Sequence, residues 1–276
     1  MWLASKLSVV KPSTYHSLES AWRIHVEPMW GPRQVGLITH TSVQTWMSEL
    51  GTKRSATTTK RAFGVLSGIL AGAVKDRRIA ANSCDGVRTK AKRAKERVYL
   101  DDAQLARLAR EAGSHRALVL VLGYCGVRWG EAIGLRVKDV DFDRGRLAIE
   151  QNAVQVNGRM HIGTPKSHAA RSVPFPAFLK PALQEQCRDK LPSALVFPGT
   201  DGGYLRRPST SASSNSWWMG AVRRSGVPHL TLHDLRHTAA SLAISAGANV
   251  KSVQRMLGHG QVPRSGVALR VPSSSG

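Results

Sequence analysis

The stretch "VRTKAKRAKER", which begins at Val87, sets the strongest limit on how this chain can fold. It places Arg88, Lys90, Lys92, Arg93, Lys95 and Arg97 against one acid, Glu96, and its few apolar residues follow neither a helical nor a strand period. Like charges at that density repel one another and are costly to bury, so the stretch has to lie exposed. With 276 residues, the chain is long enough for two domains. The reading is a helical domain over residues 1–87, a basic linker over 88–97 and a second domain over 98–259.

Before the linker, apolar residues recur at spacings of three and four, the period of a helix with one buried face. Tyr15, Leu18, Trp22 and Val26 form one stripe, with Ser13 as a candidate cap and Pro28 as the stop. Val43, Trp46, Met47 and Leu50 form a second, after "THTS", with Gly51 as the stop. Phe63, Leu66, Leu70 and Ala73 form a third, and Lys53, Arg54, Lys60 and Arg61 crowd its beginning.

Beyond the linker, "DDAQLARLAREAG" predicts a capped helix. "HRALVLVLGYCGVRWGEAIGLRVKDV" predicts a buried helix, a break at Gly126 and a shorter helix. Three β-like runs come next, "GRLAIEQNAV", "MHIGTPK" and "ARSVPF", joined by turn-rich connectors. Helices return at "AFLKPALQEQCRD", in "SWWMGAVRRSG", and twice between Leu230 and His259. The expected class is mainly α, with one small three-stranded antiparallel sheet in the second domain.

Forty Lys and Arg against eighteen Asp and Glu give a net charge of +22. This implies a polyanionic partner, nucleic acid before the alternatives of a ribosome-like structural role or an anionic membrane surface. The most apolar window, "ALVLVLGYCG", is about half the ~20 residues of a membrane span, so no membrane association is expected. The opening "MWLASKLSVVKPST" has no small-residue cleavage pattern, so no secretory leader is expected either. Cys84, Cys125 and Cys187 are widely spaced and odd in number, which argues for a reduced, cytoplasmic setting and against a disulfide framework or zinc site.

Four fragments could carry chemistry: "GVRWGEAIGL", "GTPKSHAARSV", "LHDLRHTAAS" and "RMLGH". Each has an ordinary structural reading when taken alone. Arg128 and Glu131, three apart, could be a surface ion pair. Lys166, near a strand connection, could be merely solvated. His233 and Arg236 share a helical face, a common coincidence in a basic chain, and His259 follows Gly258 at a helix end, where a dipole contact would suffice.

Together, in this order and on elements of these types, the fragments resemble the tyrosine recombinase family, the phage integrase type of site-specific recombinase. That family shows an Arg in a G-x-R-x-x-E turn, a Lys on a β-hairpin, an H-x-L-R helix and a later L-G-H. The resemblance covers about Tyr99 to His259 and implies a catalytic domain over 98–259. The helical first domain with its linker is similar to that family's core-binding, SAM-like, DNA-binding domain.

What the resemblance implies is phosphoryl transfer on double-stranded DNA at attachment or recombination sites, by an oligomer assembled on the DNA, with no metal and no cofactor. Arg128 and Arg236 would clamp the scissile phosphate, since planar guanidiniums donate paired hydrogen bonds to oxygens that gain charge in the transition state. His233 and His259 would add donors or exchange protons, Lys166 would protonate the departing sugar oxygen, and Glu131 would orient Arg128. Lys53, Arg54, Lys60, Arg61, Lys90, Lys92, Arg93 and Lys95 would lie along DNA phosphates.

The family cleaves through a 3'-phosphotyrosine, with the nucleophile roughly nine residues after the L-G-H histidine. Here that position is Ala268, and the four tyrosines, Tyr15, Tyr99, Tyr124 and Tyr204, all precede His259. Helical periodicity stops after "LGH", and Gly260–Gly276 carries Pro263 and Pro272. This ending is read as aberrant, as from a reading-frame interruption, and as lacking the nucleophile. A chain of this kind is expected to bind DNA and to be cleavage-deficient alone. The alternatives are a subunit served by a tyrosine in trans, a non-catalytic remnant occupying recombination sites and, ranked lower, a type IB topoisomerase.

Overall fold

The structure, a computed structural model, describes residues 2–89, 97–165 and 170–258. Lys90, Lys92, Arg93, Lys95, Lys166, His259, Ala268 and the 260–276 segment lie outside the described residues. Two units are distinguished, Met1–Glu96 with Gln155–His161, and Arg97–Val154 with Ile162–Gly276.

In the first unit the three expected helices are present, with boundaries moved by local causes. The first runs over Pro12–Ala21, with Pro12 in its opening turn and no side-chain cap. It does not stop at Pro28. The chain passes through a widened turn, Trp22–Val26, into a further helical turn, Glu27–Trp30. Proline lacks an N–H and its ring collides with the carbonyl four residues back, and the widened turn relieves that collision.

The second helix, His40–Lys53, is closed at its start by reciprocal hydrogen bonds. Thr39 Oγ1 accepts from the Ser42 N–H at 3.2 Å and Ser42 Oγ from the Thr39 N–H at 3.1 Å. It continues through Gly51, because the ~1 kcal/mol that glycine costs a helix is too little to end it. Ser55 then caps Ala56–Lys75. These helices bury Val26, Trp30, Val43, Trp46, Val65, Leu66 and Leu70, with Trp30 and Trp46 edge to face at 5.7 Å.

In the second unit Asp101 caps the helix Asp102–Glu111. Arg116–Leu120 leads into another widened turn, Val121–Cys125, which ends at Gly126 in the left-handed region, φ 61°. The chain then turns directly into Trp129–Ile133. A three-stranded antiparallel sheet is present, but its membership differs from the sequence reading. It consists of β1 (Val140–Asp141), β2 (Arg146–Ile149) and, after the separate hairpin of β3 (Asn152–Val156) and β4 (Arg159–Gly163), β5 (Arg171–Pro174), in the order β1-β2-β5. "GRLAIEQNAV" therefore splits between β2 and β3, and "MHIGTPK" pairs with β3 alone. β1, two residues long, carries too little pattern to be read. Asn157 and Gly158, both at positive φ, make the tight β3–β4 turn.

The pairing of β5 with β2 decides which way Arg171 points. Leu147 lies opposite Val173 and Ile149 opposite Arg171, so Arg171 leaves the strand on the same side as the fully buried Val173. Four helices complete the unit: Lys180–Cys187, Trp217–Ser225, Asp234–Ser245 and Val250–Leu257. The core holds Leu105, Leu118, Leu122, Leu147, Val173, Trp218 and Leu235, among others. Among the described residues no helix is long and apolar enough to cross a membrane.

Gly126 has two reasons to be glycine. Its φ is left-handed, and an added Cβ would stand 2.7 Å from Leu257 Cδ2 and 3.2 Å from Ala239 Cβ. Gly226, with φ 66°, faces open space instead. Gly126→Ala is expected to lower the unfolding free energy by about 1–3 kcal/mol, more than Gly226→Ala does. Urea titration of the two variants followed by circular dichroism checks this, and equal losses would refute the packing role.

Candidate active site

Arg128 stands just after the Gly126 turn, with extended backbone, and serves as the residue before the helix Trp129–Ile133. Glu131, one turn on, folds back over that helix end. Its Oε2 accepts from the Arg128 backbone N–H at 2.8 Å and its Oε1 from Arg128 Nη1 at 2.8 Å. The pair expected from sequence therefore exists, but it is not a surface ion pair, because Glu131 is 1% exposed.

The remaining capacity of that carboxylate goes to a residue the sequence reading did not single out. Arg171 donates from Nη1 to Oε1 at 2.9 Å and from Nη2 to Oε2 at 2.6 Å, a two-pronged pairing. Its Nε donates to the Met256 carbonyl at 3.1 Å. Arg171 sits inside the quoted fragment "GTPKSHAARSV", yet nothing in its spacing announces a carboxylate forty positions upstream. Strand alternation, had β5 been registered against β2, is the signal that would have turned it inward.

Burial alone would push the Glu131 carboxyl up. The hydrogen bonds and charge of Arg171, then the hydrogen bonds of Arg128, outweigh it and hold the carboxyl below the usual carboxylate range.

Arg236 is the third guanidinium, 5% exposed, near the start of the helix Asp234–Ser245. It donates from Nη1 to the Gly126 carbonyl and from Nη2 to the Leu257 carbonyl. Both acceptors end an element, one at the left-handed Gly126 and the other just before the left-handed Gly258, so each offers a carbonyl with no helical partner. Burial, then the nearby charges of Arg128 and Arg171 against that of Glu131, push Arg236 down to about 10. It stays charged at neutral pH.

His233 immediately precedes the same helix and is exposed. Asp234 beside it is tied down, accepting from the Thr231 N–H at 2.6 Å and from Thr231 Oγ1 at 2.8 Å. Partial desolvation lowers the His233 pKa, and His237, Arg236 and Arg207 push the same way against Asp234. The ring faces His237 edge-on at 5.2 Å. A neutral imidazole can donate a hydrogen bond from one ring nitrogen and accept one at the other.

The structure thus brings Arg128, Glu131 and Arg236 together with Arg171, and places His233 against Arg236. Lys166 and His259 lie outside the described residues. Lys53, Arg54, Lys60 and Arg61 are exposed around the junction of the helices His40–Lys53 and Ala56–Lys75. Among the described residues no group of His, Cys, Asp and Glu could hold a metal ion. Tyr124 is half-buried, and its hydroxyl donates to Asp102 Oδ1 at 2.8 Å. Burial, then that bond and charge, raise its pKa, the reverse of an activated nucleophile.

A buried carboxylate saturated by two arginines, beside a third arginine held on orphan carbonyls, is a net positive cluster on a mostly helical domain, chemically suited to an anion. The chain belongs to the phage integrase family, whose model matches residues 99–264. It is similar to the integrase of Mycobacterium phage D29, 29% identical over 283 residues, covering 99% of this chain and 73% of that protein. Among solved structures it is similar to the integrase of transposon Tn1549 in complex with a circular intermediate DNA, with a TM-score of 0.78 and 21% identity, over 94% of this chain and 90% of the other. It is also similar to a lambda integrase tetramer bound to a Holliday junction, with a TM-score of 0.71 and 18% identity, over 96% and 78% of the two chains.

The depressed Glu131 pKa fixes the sign of a pH effect. Its contribution to stability is complete above the ordinary carboxylate range and is lost as pH falls through the lower, folded-state value. Glu131→Gln is expected to cost about 3 kcal/mol at neutral pH, since two largely buried guanidiniums lose their countercharge. The gap to the unaltered protein narrows as pH falls below the carboxylate range. Urea midpoints measured across that range check it, and a gap independent of pH would refute it.

Proposed function

We propose that this chain is a site-specific DNA recombinase of the integrase type, acting in the cytoplasm on double-stranded attachment sites as an oligomer assembled on the DNA. The observation that carries the reading is the convergence of Arg128 and Arg236. They are held by different partners, one by Glu131 and one by backbone carbonyls, and each keeps donors with no partner among the described residues. Two such guanidiniums suit the non-bridging oxygens of a phosphodiester. The complexes of its structural neighbours with DNA support the same substrate class.

In this reading residues 1–87 are the core-binding domain, 88–97 the basic linker and 98–259 the catalytic domain. Lys53, Arg54, Lys60 and Arg61, with Lys90, Lys92, Arg93 and Lys95, lie along DNA phosphates. Glu131 keeps Arg128 aimed at the scissile phosphate, His233 and His259 donate to it or exchange protons, and Lys166 protonates the departing sugar oxygen. The polypeptide of residues 1–276 has Ala268 where the family carries its tyrosine, and it binds without cleaving. A tyrosine supplied by another subunit is the second reading.

Arg128→Ala is expected to weaken binding of a labelled duplex and to reduce the slope of log affinity against log salt by about one counterion. Unchanged affinity and slope would overturn the phosphate-gripping role. On a nicked duplex the protein alone is expected to give no denaturation-resistant adduct, and an adduct would overturn the assignment of a missing nucleophile.

A further inference from the structure

We propose that Arg171 is the positioning residue that lets Glu131 aim Arg128 without cancelling the pocket's charge, leaving two net positive charges for a tetrahedral anion. The inference rests on the phosphate-gripping reading and adds to it a residue to which that reading gave no role.

Three observations carry it. First, the two-pronged face of the Glu131 carboxylate is given to Arg171, while Arg128 spends one Nη1 hydrogen bond and its backbone N–H on the same group. Arg128 Nε and Nη2 therefore have no partner among the described residues and remain for a ligand. Without Arg171, Glu131 would be a buried carboxylate with Arg128 as its one cationic hydrogen-bond partner, and the pair would sum to zero.

Second, the charged groups facing Glu131 among the described residues are Arg128 from its own helix, Arg171 from β5 and Arg236 from the helix Asp234–Ser245. Three cations and one carboxylate leave a charge of two. A phosphodiester carries one negative charge and gains a second as the attacking oxygen adds, so two positive charges match the transition state better than the ground state.

Third, Arg171 is fixed at its other end. Its Nε holds the Met256 carbonyl, and its Cδ, Nε and Cζ fill the space 3.0–3.1 Å from where a Cβ on Gly258 would stand. The same side chain therefore ties the carboxylate that aims Arg128 to the last turn of the helix Val250–Leu257, whose next carbonyl, Leu257, receives Arg236. One arginine sets the register of the other two.

The test uses inorganic sulfate, a tetrahedral dianion whose charge is constant across the neutral range, titrated at fixed ionic strength and read by calorimetry and by the shift in thermal midpoint. Arg171→Gln is expected to bind sulfate about tenfold more weakly than the unaltered protein at neutral pH and to recover as pH falls, because Glu131, having lost its main partner, then takes up a proton. The His233 and His237 imidazoles are common to both proteins, so the difference between the two profiles isolates Glu131. A misfolded or merely loosened variant would not regain affinity on acidification.

Because Arg171→Gln leaves a poorly paired buried carboxylate and could fail to fold, a second pair avoids that carboxylate altogether. Glu131→Gln is expected to bind sulfate about tenfold more tightly than Glu131→Gln/Arg171→Gln, neither depending on the Glu131 proton. Equal affinities within that pair, or an Arg171→Gln profile matching the unaltered protein, would overturn the role of Arg171. Sulfate binding that survives Arg128→Ala and Arg236→Ala would instead overturn the underlying phosphate-gripping reading.

Discussion

The site depends on one buried carboxylate. Glu131 accepts four hydrogen bonds, two from Arg171, one from the Arg128 guanidinium and one from the Arg128 backbone, which saturates its two oxygens. Burying a lone carboxylate would be prohibitive and burying three guanidiniums near one another equally so. Together they are tolerable, because each desolvated group meets a partner of opposite charge or an orphan carbonyl. The arrangement therefore specifies geometry more than it stabilises the fold. Hydrophobic residues of the same volume would pack there at least as well, but would leave nothing for an anion to bind.

The surrounding elements exist to deliver side chains to that point. Gly126 ends a buried helical stretch in a left-handed turn, so that Arg128 emerges at a helix start and the Gly126 carbonyl is freed for Arg236. β5 pairs with β2 in a register that sends Arg171 inward. The helix Val250–Leu257 ends with two free carbonyls, at Met256 and Leu257, each capped by a different arginine. Positive side chains at the negative end of a helix are favourable in their own right, so the docking of that helix and the spacing of the arginines reinforce each other.

How much of this the sequence disclosed depends on the range of each interaction. Helix periodicity is local, and the stripes around Leu18, Trp46 and Leu66, with the capped run "DDAQLARLAREAG", gave helices and the mainly α class. Arg128, Glu131 and Arg236 were legible only through the order of the four fragments and the family resemblance it carries, since the spacing within each fragment had an ordinary structural reading. The sheet was misassigned in detail because strand partnership is non-local. β2 pairs with β5 across the intervening hairpin, and a two-residue β1 has no period to read. Arg171 was missed for the same reason, since its significance lies in a contact with Glu131 that only the register of β5 creates. Pro28 and Gly51 misled at helix ends because a widened turn accommodates the one and a weak propensity does not decide the other.

In the proposed function, holding an anion and attacking it are separable tasks. The positive cluster is assembled from the Gly126 turn, β5 and the helices Trp129–Ile133, Asp234–Ser245 and Val250–Leu257. Its electrostatic field is therefore set by the fold itself, the kind of preorganised charge that the proposed function would draw on. Each of the three guanidiniums is also held by groups other than the ligand, so little reorganisation is needed when a phosphate enters. A polypeptide retaining this framework keeps the part of the chemistry that depends on charge and geometry.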